Sequence, residues 1–180
     1  MEVALSPDEL LRQYRKKPLF DPDSLPVQLV CTDAQIKAII PQRPPLLFVD
    51  GLTGLDINAG LIAGYRQMNP ADPVFSGHFP DYPVYPGTFT VEMIGQLGLC
   101  LYYFVNNQRI DIGLDARPIR LRATKLPGAL FLEPILPGDT VILLAKRLVF
   151  DGFYGSIIGQ ALVRGKVAVV AMGEVMILED

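Results

Sequence analysis

The chain holds one histidine in 180 residues, two cysteines and no tryptophan. A lone imidazole and two cysteines as far apart as Cys31 and Cys100 cannot assemble a metal site at ordinary ligand spacings, so no metal is expected. Two cysteines make no disulfide framework either. Cys100 lies in the most apolar stretch and reads as a small core filler, and free thiols fit a reducing cytoplasm. Charge is scarce as well, at 19% of residues with a net −3, which leaves no basic field to favour nucleic acid. The glycines of Gly152–Gly159 lack the pattern that cradles phosphates. There are no internal repeats or low-complexity tracts, and the acidic start Met1-Glu2-Val3-Ala4-Leu5-Ser6-Pro7-Asp8-Glu9 lacks the apolar core of a secretory signal.

What the chain has in abundance is apolar surface. Hydrophobic residues make up 50% of it, and mean hydropathy is +0.31. This length allows one domain with a full core, and so much apolar material requires an element buried on all sides or a face covered by another subunit. Phe89–Val105 is the candidate: almost every position is apolar or glycine. It contains Glu92 and Gln96 and is short for a bilayer span of about 20 residues, so no membrane span is expected. A helix apolar all round is a buried helix. Pro86-Gly87 predicts its start and Asn106-Asn107 its end.

The rest of the chain supplies a sheet to wrap it. Strands are expected over Leu46–Asp50, Leu61–Met68, Pro118–Thr124, Thr140–Phe150, Phe153–Val163 and Val167–Leu178, with turns at Gly54–Gly60, Gly152 and Gly165. Residues 1–32 read as an extension packed on the outside. In it, Ser6-Pro7 opens a short amphipathic helix with Leu10, Leu11 and Tyr14, a basic cluster runs from Arg12 to Lys17, and Pro18–Pro26 is a broken connector. Thr32-Asp33 caps a helix over Ala34–Ile40 that Pro41 stops. Asn69–Pro73 breaks regular structure, and Arg109–Arg117 reads as a charged loop. The fold class is α+β, one long helix against an antiparallel sheet, and a homodimer is the natural way to cover what one chain leaves exposed.

The only histidine stands in Ser76-Gly77-His78-Phe79-Pro80-Asp81-Tyr82-Pro83-Val84-Tyr85-Pro86-Gly87, immediately before the apolar helix. Unperturbed, His78 is the side chain suited to moving a proton near neutrality. Glu92 and Gln96 are four apart and share a helix face; burial there is expected to raise the Glu92 pKa and keep it a neutral acid. The Gly87 N–H is an unpaired donor at a helix N-terminus, fit for a developing oxyanion. Base, acid and oxyanion donor together suit proton abstraction beside a carbonyl with loss of a β-hydroxyl, or the reverse hydration. A loop histidine that is merely hydrogen-bonded, and a Glu92 that merely pairs with a Lys or Arg from a strand, are the bland readings of the same residues.

Gly77-His78-Phe79-Pro80, Pro83, Pro86-Gly87, Glu92 and Gln96 resemble the active-site signature of the hot-dog-fold β-hydroxyacyl-acyl carrier protein dehydratases, the FabZ-like branch. The likeness extends through most of residues 34–178. It takes in Ile36-Lys37-Ala38-Ile39-Ile40-Pro41-Gln42-Arg43-Pro44-Pro45-Leu46-Leu47-Phe48-Val49-Asp50 upstream and Pro134-Ile135-Leu136-Pro137-Gly138-Asp139 downstream. The resemblance implies a hot-dog domain over 33–180 behind the 1–32 extension, no cofactor, an acyl carrier protein partner, and a homodimer or trimer of dimers. It implies that His78 takes the C2 proton with its ring held by a backbone carbonyl near Val84. Glu92 of the partner chain would protonate the leaving hydroxyl, Gln96 would orient Glu92, and the Gly87 N–H would hold the thioester carbonyl. Phe79 and Val84 would flank the substrate. Glu at position 92, where the dehydratase–isomerase branch has Asp, points to dehydration without double-bond migration.

This chain departs from the family's pattern at Gln42, where a His is frequent, and at Phe131-Leu132-Glu133, which replaces a basic pair. Residues 1–32 and 106–130 are also atypical, and a specialised pathway member is expected. A hot-dog acyl thioesterase and a non-catalytic acyl-binding subunit are the other readings the sequence allows.

Overall fold

The computed structural model describes residues 5–178, so the first four residues of the expected extension and the last two of the chain lie outside the described residues. Short helices open where capping chemistry predicts. In α1 (Pro7–Gln13) the Ser6 hydroxyl accepts from the Glu9 N–H while the Glu9 carboxylate accepts from the Ser6 N–H, and Thr32 and Gln35 repeat the exchange at α2 (Asp33–Ile39). The strands are β1 (Val27–Gln28), β2 (Gly51–Asp56), β3 (Leu61–Gln67), β4 (Leu121–Phe131), β5 (Thr140–Phe150), β6 (Tyr154–Val163) and β7 (Lys166–Ile177). All pairs are antiparallel, and the sheet order is β1-β2-β3-β5-β6-β7-β4. The β6–β7 turn places Arg164 and Gly165 at φ 50° and 75°, the paired left-handed conformation whose twist matches a two-residue hairpin.

Between the α3 turn (Pro73–Gly77) and β4 runs α4, Gly87–Asn107, the one helix among the described residues long and apolar enough to cross a membrane. It is instead the core of the domain: Met93, Leu97, Cys100, Leu101 and Phe104 are fully buried against the sheet. Close approach depends on missing side chains. A Cβ on Gly159 would lie 2.3 Å from Ile94, one on Gly155 2.5 Å from Tyr102, and one on Gly98 2.4 Å from Ile157.

The outer face of the sheet is covered by the chain's own beginning. Leu11 packs with Ile158, Val167, Val170 and Met172, and Leu25 with Ala63, Leu144 and Leu162. The fully buried Gln160 anchors this segment, donating to the Tyr14 and Lys17 carbonyls at 2.6 and 2.9 Å and accepting from the Leu19 N–H at 2.8 Å.

Three expectations need correction. Leu46–Asp50 is not a strand; several of its backbone groups go to side chains, Phe48 N–H to Gln96, the Leu46 carbonyl to Gln96 and the Leu47 carbonyl to Arg66, and the strand begins at Gly51. Residues 106–130 are less irregular than expected, because β4 runs on to Phe131; as an edge strand it tolerates Pro127. The expected break over Asn69–Pro73 is present up to Asp72, and behind it residues 73–77 form a helical turn, begun by Asp72 accepting from the Val74 N–H with Pro73 at its first position. Finally, α4 is not covered all round. Thr88, Val91, Glu92, Gly95 and Leu99 form a stripe open or half-open beside β4 and β7, because the sheet closes over only part of the helix.

Candidate active site

His78 ends the α3 turn, where its N–H donates to the Val74 carbonyl at 3.0 Å. The next residues fold back on it. The Val84 N–H donates to the His78 carbonyl at 2.9 Å, and His78 Nδ1 lies 3.0 Å from the Val84 carbonyl. A carbonyl can only accept, so Nδ1 carries the hydrogen and the neutral ring keeps its lone pair on Nε2. Phe79 stacks on the imidazole at 4.1 Å between centroids and is exposed on its other side; the peptide between them is cis. Tyr85 is buried, its N–H donating to the Ile135 carbonyl at 2.9 Å, and burial pushes its hydroxyl pKa up.

A cavity of about 480 Å³ joins His78 to Val84, Gly87, Thr88, Phe131 and Ile135. Gly87 is the first residue of α4 and follows Pro86, so its N–H lies in the turn where helix donors have no intrahelical acceptor. Glycine is needed there sterically: a Cβ would stand 2.5 Å from the Phe131 ring.

Glu92 does not line that cavity; it lies on the open stripe of α4, in a second, largely apolar groove of about 380 Å³ with Val91, Gly95, Leu99, Lys125, Leu126 and Glu174. Thr88 borders both cavities. Within one chain Glu92 is therefore exposed rather than buried as expected. It makes no ion pair with a strand cation among the described residues, and Lys125 lies 3.7 Å from Glu174 instead.

Its partners are amides. Gln96, completely buried, donates from Nε2 to Glu92 Oε1 at 2.9 Å and to the Leu46 carbonyl at 2.8 Å, while its Oε1 accepts from the Phe48 N–H at 2.7 Å. The structure thus brings together Gln96 with Glu92, and His78 with Val84, Phe79 and Gly87, as two half-sites. Sequence reasoning gave no role to Gln42, whose Nε2 reaches Glu92 Oε1 at 3.4 Å, or to Phe131 against Gly87; neither spacing carries a local signal. No cluster of metal-binding side chains occurs among the described residues.

A seven-stranded antiparallel sheet laid along one long apolar helix, with a histidine loop leading into that helix, defines a hot-dog protein. The FabA-like domain model matches residues 40–171, and the chain belongs to that family. It is 35% identical over 144 residues, 79% of this chain and 88% of the relative, to the 3-hydroxyacyl-[acyl-carrier-protein] dehydratase FabZ of Xanthomonas oryzae pv. oryzae. To the FabZ of Xanthomonas euvesicatoria pv. vesicatoria it is 33% identical over 145 residues, covering 79% and 89%. The fold is shared with the dehydratase heterocomplex ApeI:P of Xenorhabdus doucetiae (TM-score 0.60, 14% identity, 81% and 91% covered). It is also shared with the E. coli PaaI protein of the phenylacetic acid degradation operon (TM-score 0.51, 13% identity, 71% and 78% covered).

Proposed function

We propose that the chain is a 3-hydroxyacyl-[acyl-carrier-protein] dehydratase, removing water from a (3R)-hydroxyacyl thioester on acyl carrier protein to leave the trans-2-enoyl thioester, in fatty-acid or related biosynthesis. The observation that carries this reading is the bond of His78 Nδ1 to the Val84 carbonyl, which leaves Nε2 as a base in the cavity that Gly87 borders. Nε2 takes the C2 proton. The electron pair moves toward the thioester carbonyl, whose oxygen develops charge at the Gly87 N–H and the N-terminus of α4. The pair then returns to form the C2–C3 double bond as the C3–O bond breaks, and Glu92 gives its proton to the hydroxyl, which departs as water. The elimination changes no net oxidation state and its proton transfers fall to His78 and Glu92, so the step calls for no cofactor.

In this reading Glu92 serves the His78 of a second copy, which its separation from the His78 cavity of its own chain supports. With the outer face of the sheet packed against residues 10–25, the free surfaces include the apolar stripe of α4 and the β4 edge, where Leu126 is exposed. A homodimer pairing there covers both. Residues 1–32 are then a cover for the sheet and 33–180 the catalytic domain. Phe131 and Leu132, exposed at the cavity mouth, with Glu133 tied to Lys166 at 3.4 Å, give the carrier protein a more apolar landing than a basic pair would. That suits a specialised pathway in the cytoplasm.

The test is turnover of a short 3-hydroxyacyl thioester and its trans-2-enoyl counterpart on acyl carrier protein by wild type, His78→Ala and Glu92→Gln, with mass detection. Interconversion by wild type, lost in both variants, is the expected result. Free acid as the product would make the protein a thioesterase, and no turnover at all would make it a binding subunit.

A further inference from the structure

Glu92 presents two chemically different oxygens. Oε1 accepts from Gln96 Nε2 at 2.9 Å and from Gln42 Nε2 at 3.4 Å, whereas Oε2 accepts no hydrogen bond among the described residues. A carboxylate oxygen has two in-plane lone pairs, and two N–H donors occupy both. The proton that Glu92 carries must then sit on Oε2.

Gln96 alone fills only one of those sites. Gln42 comes from a different part of the chain, the turn after α2, and its backbone is fixed independently. The Arg43 guanidinium donates to the Lys37, Ile40 and Gln42 carbonyls at 2.9, 2.9 and 2.7 Å, capping the C-terminal end of that helix. The oxygen of the Gln42 amide, Oε1, is buried with no partner among the described residues, so the Nε2 contact with Glu92 is the hydrogen bond that orients this amide. Turned over, the amide would set its oxygen against the carboxylate. The segment from Gln42 to Phe48 is thus held to α4 at two places, through Gln96 at Leu46 and Phe48 and through Gln42 at Glu92 itself.

We propose that Gln42 is a positioning residue for the acid of the dehydration, the second amide that closes Oε1 and leaves Oε2 as the proton-bearing oxygen. The inference rests on the reading of Glu92 as proton donor. Gln42 touches no substrate in this scheme. It acts only through Glu92, and mainly on the step in which the C3–O bond breaks.

The test measures kcat and KM of the intact protein with a 3-hydroxybutyryl thioester on acyl carrier protein. Gln42→Leu, which removes the donor, should lower kcat about tenfold with KM within about twofold. Gln42→Glu keeps the shape but offers an acceptor where a donor is needed, and should lose at least as much. Gln42→His, which restores an N–H at similar reach, should stay within about threefold of wild type.

Turnover within about twofold of wild type in both Gln42→Leu and Gln42→Glu would overturn the proposal, as would a Gln42→His variant no more active than Gln42→Leu. An inactive wild type, or a fully active Glu92→Gln, would instead sink the dehydratase reading. An active enzyme that needs Glu92 but is indifferent to Gln42 sinks only this inference.

Discussion

His78 and Val84 are joined twice, Val84 N–H to the His78 carbonyl at 2.9 Å and His78 Nδ1–H to the Val84 carbonyl at 3.0 Å. The first bond closes the loop between them, and the second uses that closure to aim the ring. The histidine is therefore oriented entirely within its own chain, while Glu92 is oriented by Gln96 on another face of the molecule. Neither side chain depends on the other for its orientation.

That independence predicts complementation. His78→Ala and Glu92→Gln homodimers should each be inactive. Unfolded together and refolded as a mixture, half of the dimers are mixed, and each holds one intact pairing of two, so roughly a quarter of wild-type activity should return. If both groups acted within one chain the mixture would stay inactive.

Gly87→Ala should lower kcat/KM at least tenfold with little change in Tm, since the new methyl displaces the Phe131 ring, 2.5 Å away, within the cavity that His78 lines. Phe131→Ala in the same chain should recover part of the loss. Full activity in Gly87→Ala would show that the ring yields without touching the substrate.

Gln160→Leu leaves two carbonyls and one N–H of residues 14–19 without their buried partner, a loss of about 2–4 kcal/mol. Calorimetry should show Tm lowered by roughly 5–10 °C, and trypsin should cut the native variant faster among Arg15, Lys16 and Lys17. Unchanged protease resistance would mean that apolar contacts alone hold the segment.

Burial raises the pKa of the Cys100 thiol and the Tyr102 hydroxyl, both of which stay protonated in the folded core. In the unfolded chain they ionise from about pH 8.5 and 10, so above those values unfolding releases protons. Stability from these groups is fully present below the unfolded values and declines as pH rises through them, by up to about 1.4 kcal/mol per pH unit for each ionised group. Denaturant unfolding between pH 7 and 10.5 should show that decline, flattened at its lower end in Cys100→Ala. Native Cys100 should also resist alkylation until the protein unfolds.

Much of this was legible along the chain because it is local. Capping boxes at Ser6 and Thr32, Pro86-Gly87 ahead of an apolar run, and glycine turns between β-branched segments each act within a few residues, and the elements start and stop close to where those signals stand. The Asp72-Pro73 start of α3 is equally local, and it follows directly on the break that the prolines of Asn69–Pro73 predict. His78, Glu92 and Gln96 also stood out in the sequence against an apolar background, and the structure sets His78 beside Gly87 and Gln96 against Glu92.

Tertiary structure decided what depends on contacts across tens of residues. Leu46–Asp50 has the composition of a strand, yet Gln96 and Arg66 claim its backbone groups first. Glu92 has apolar neighbours in sequence, yet the sheet stops short of its face of α4 and leaves it open. Gln42 is separated by 50 residues from the carboxylate it touches, and no periodicity spans that distance. Hydrogen-bond partners of this kind are chosen by which surfaces packing brings together, and that is settled only when helix, sheet and N-terminal cover close on one another.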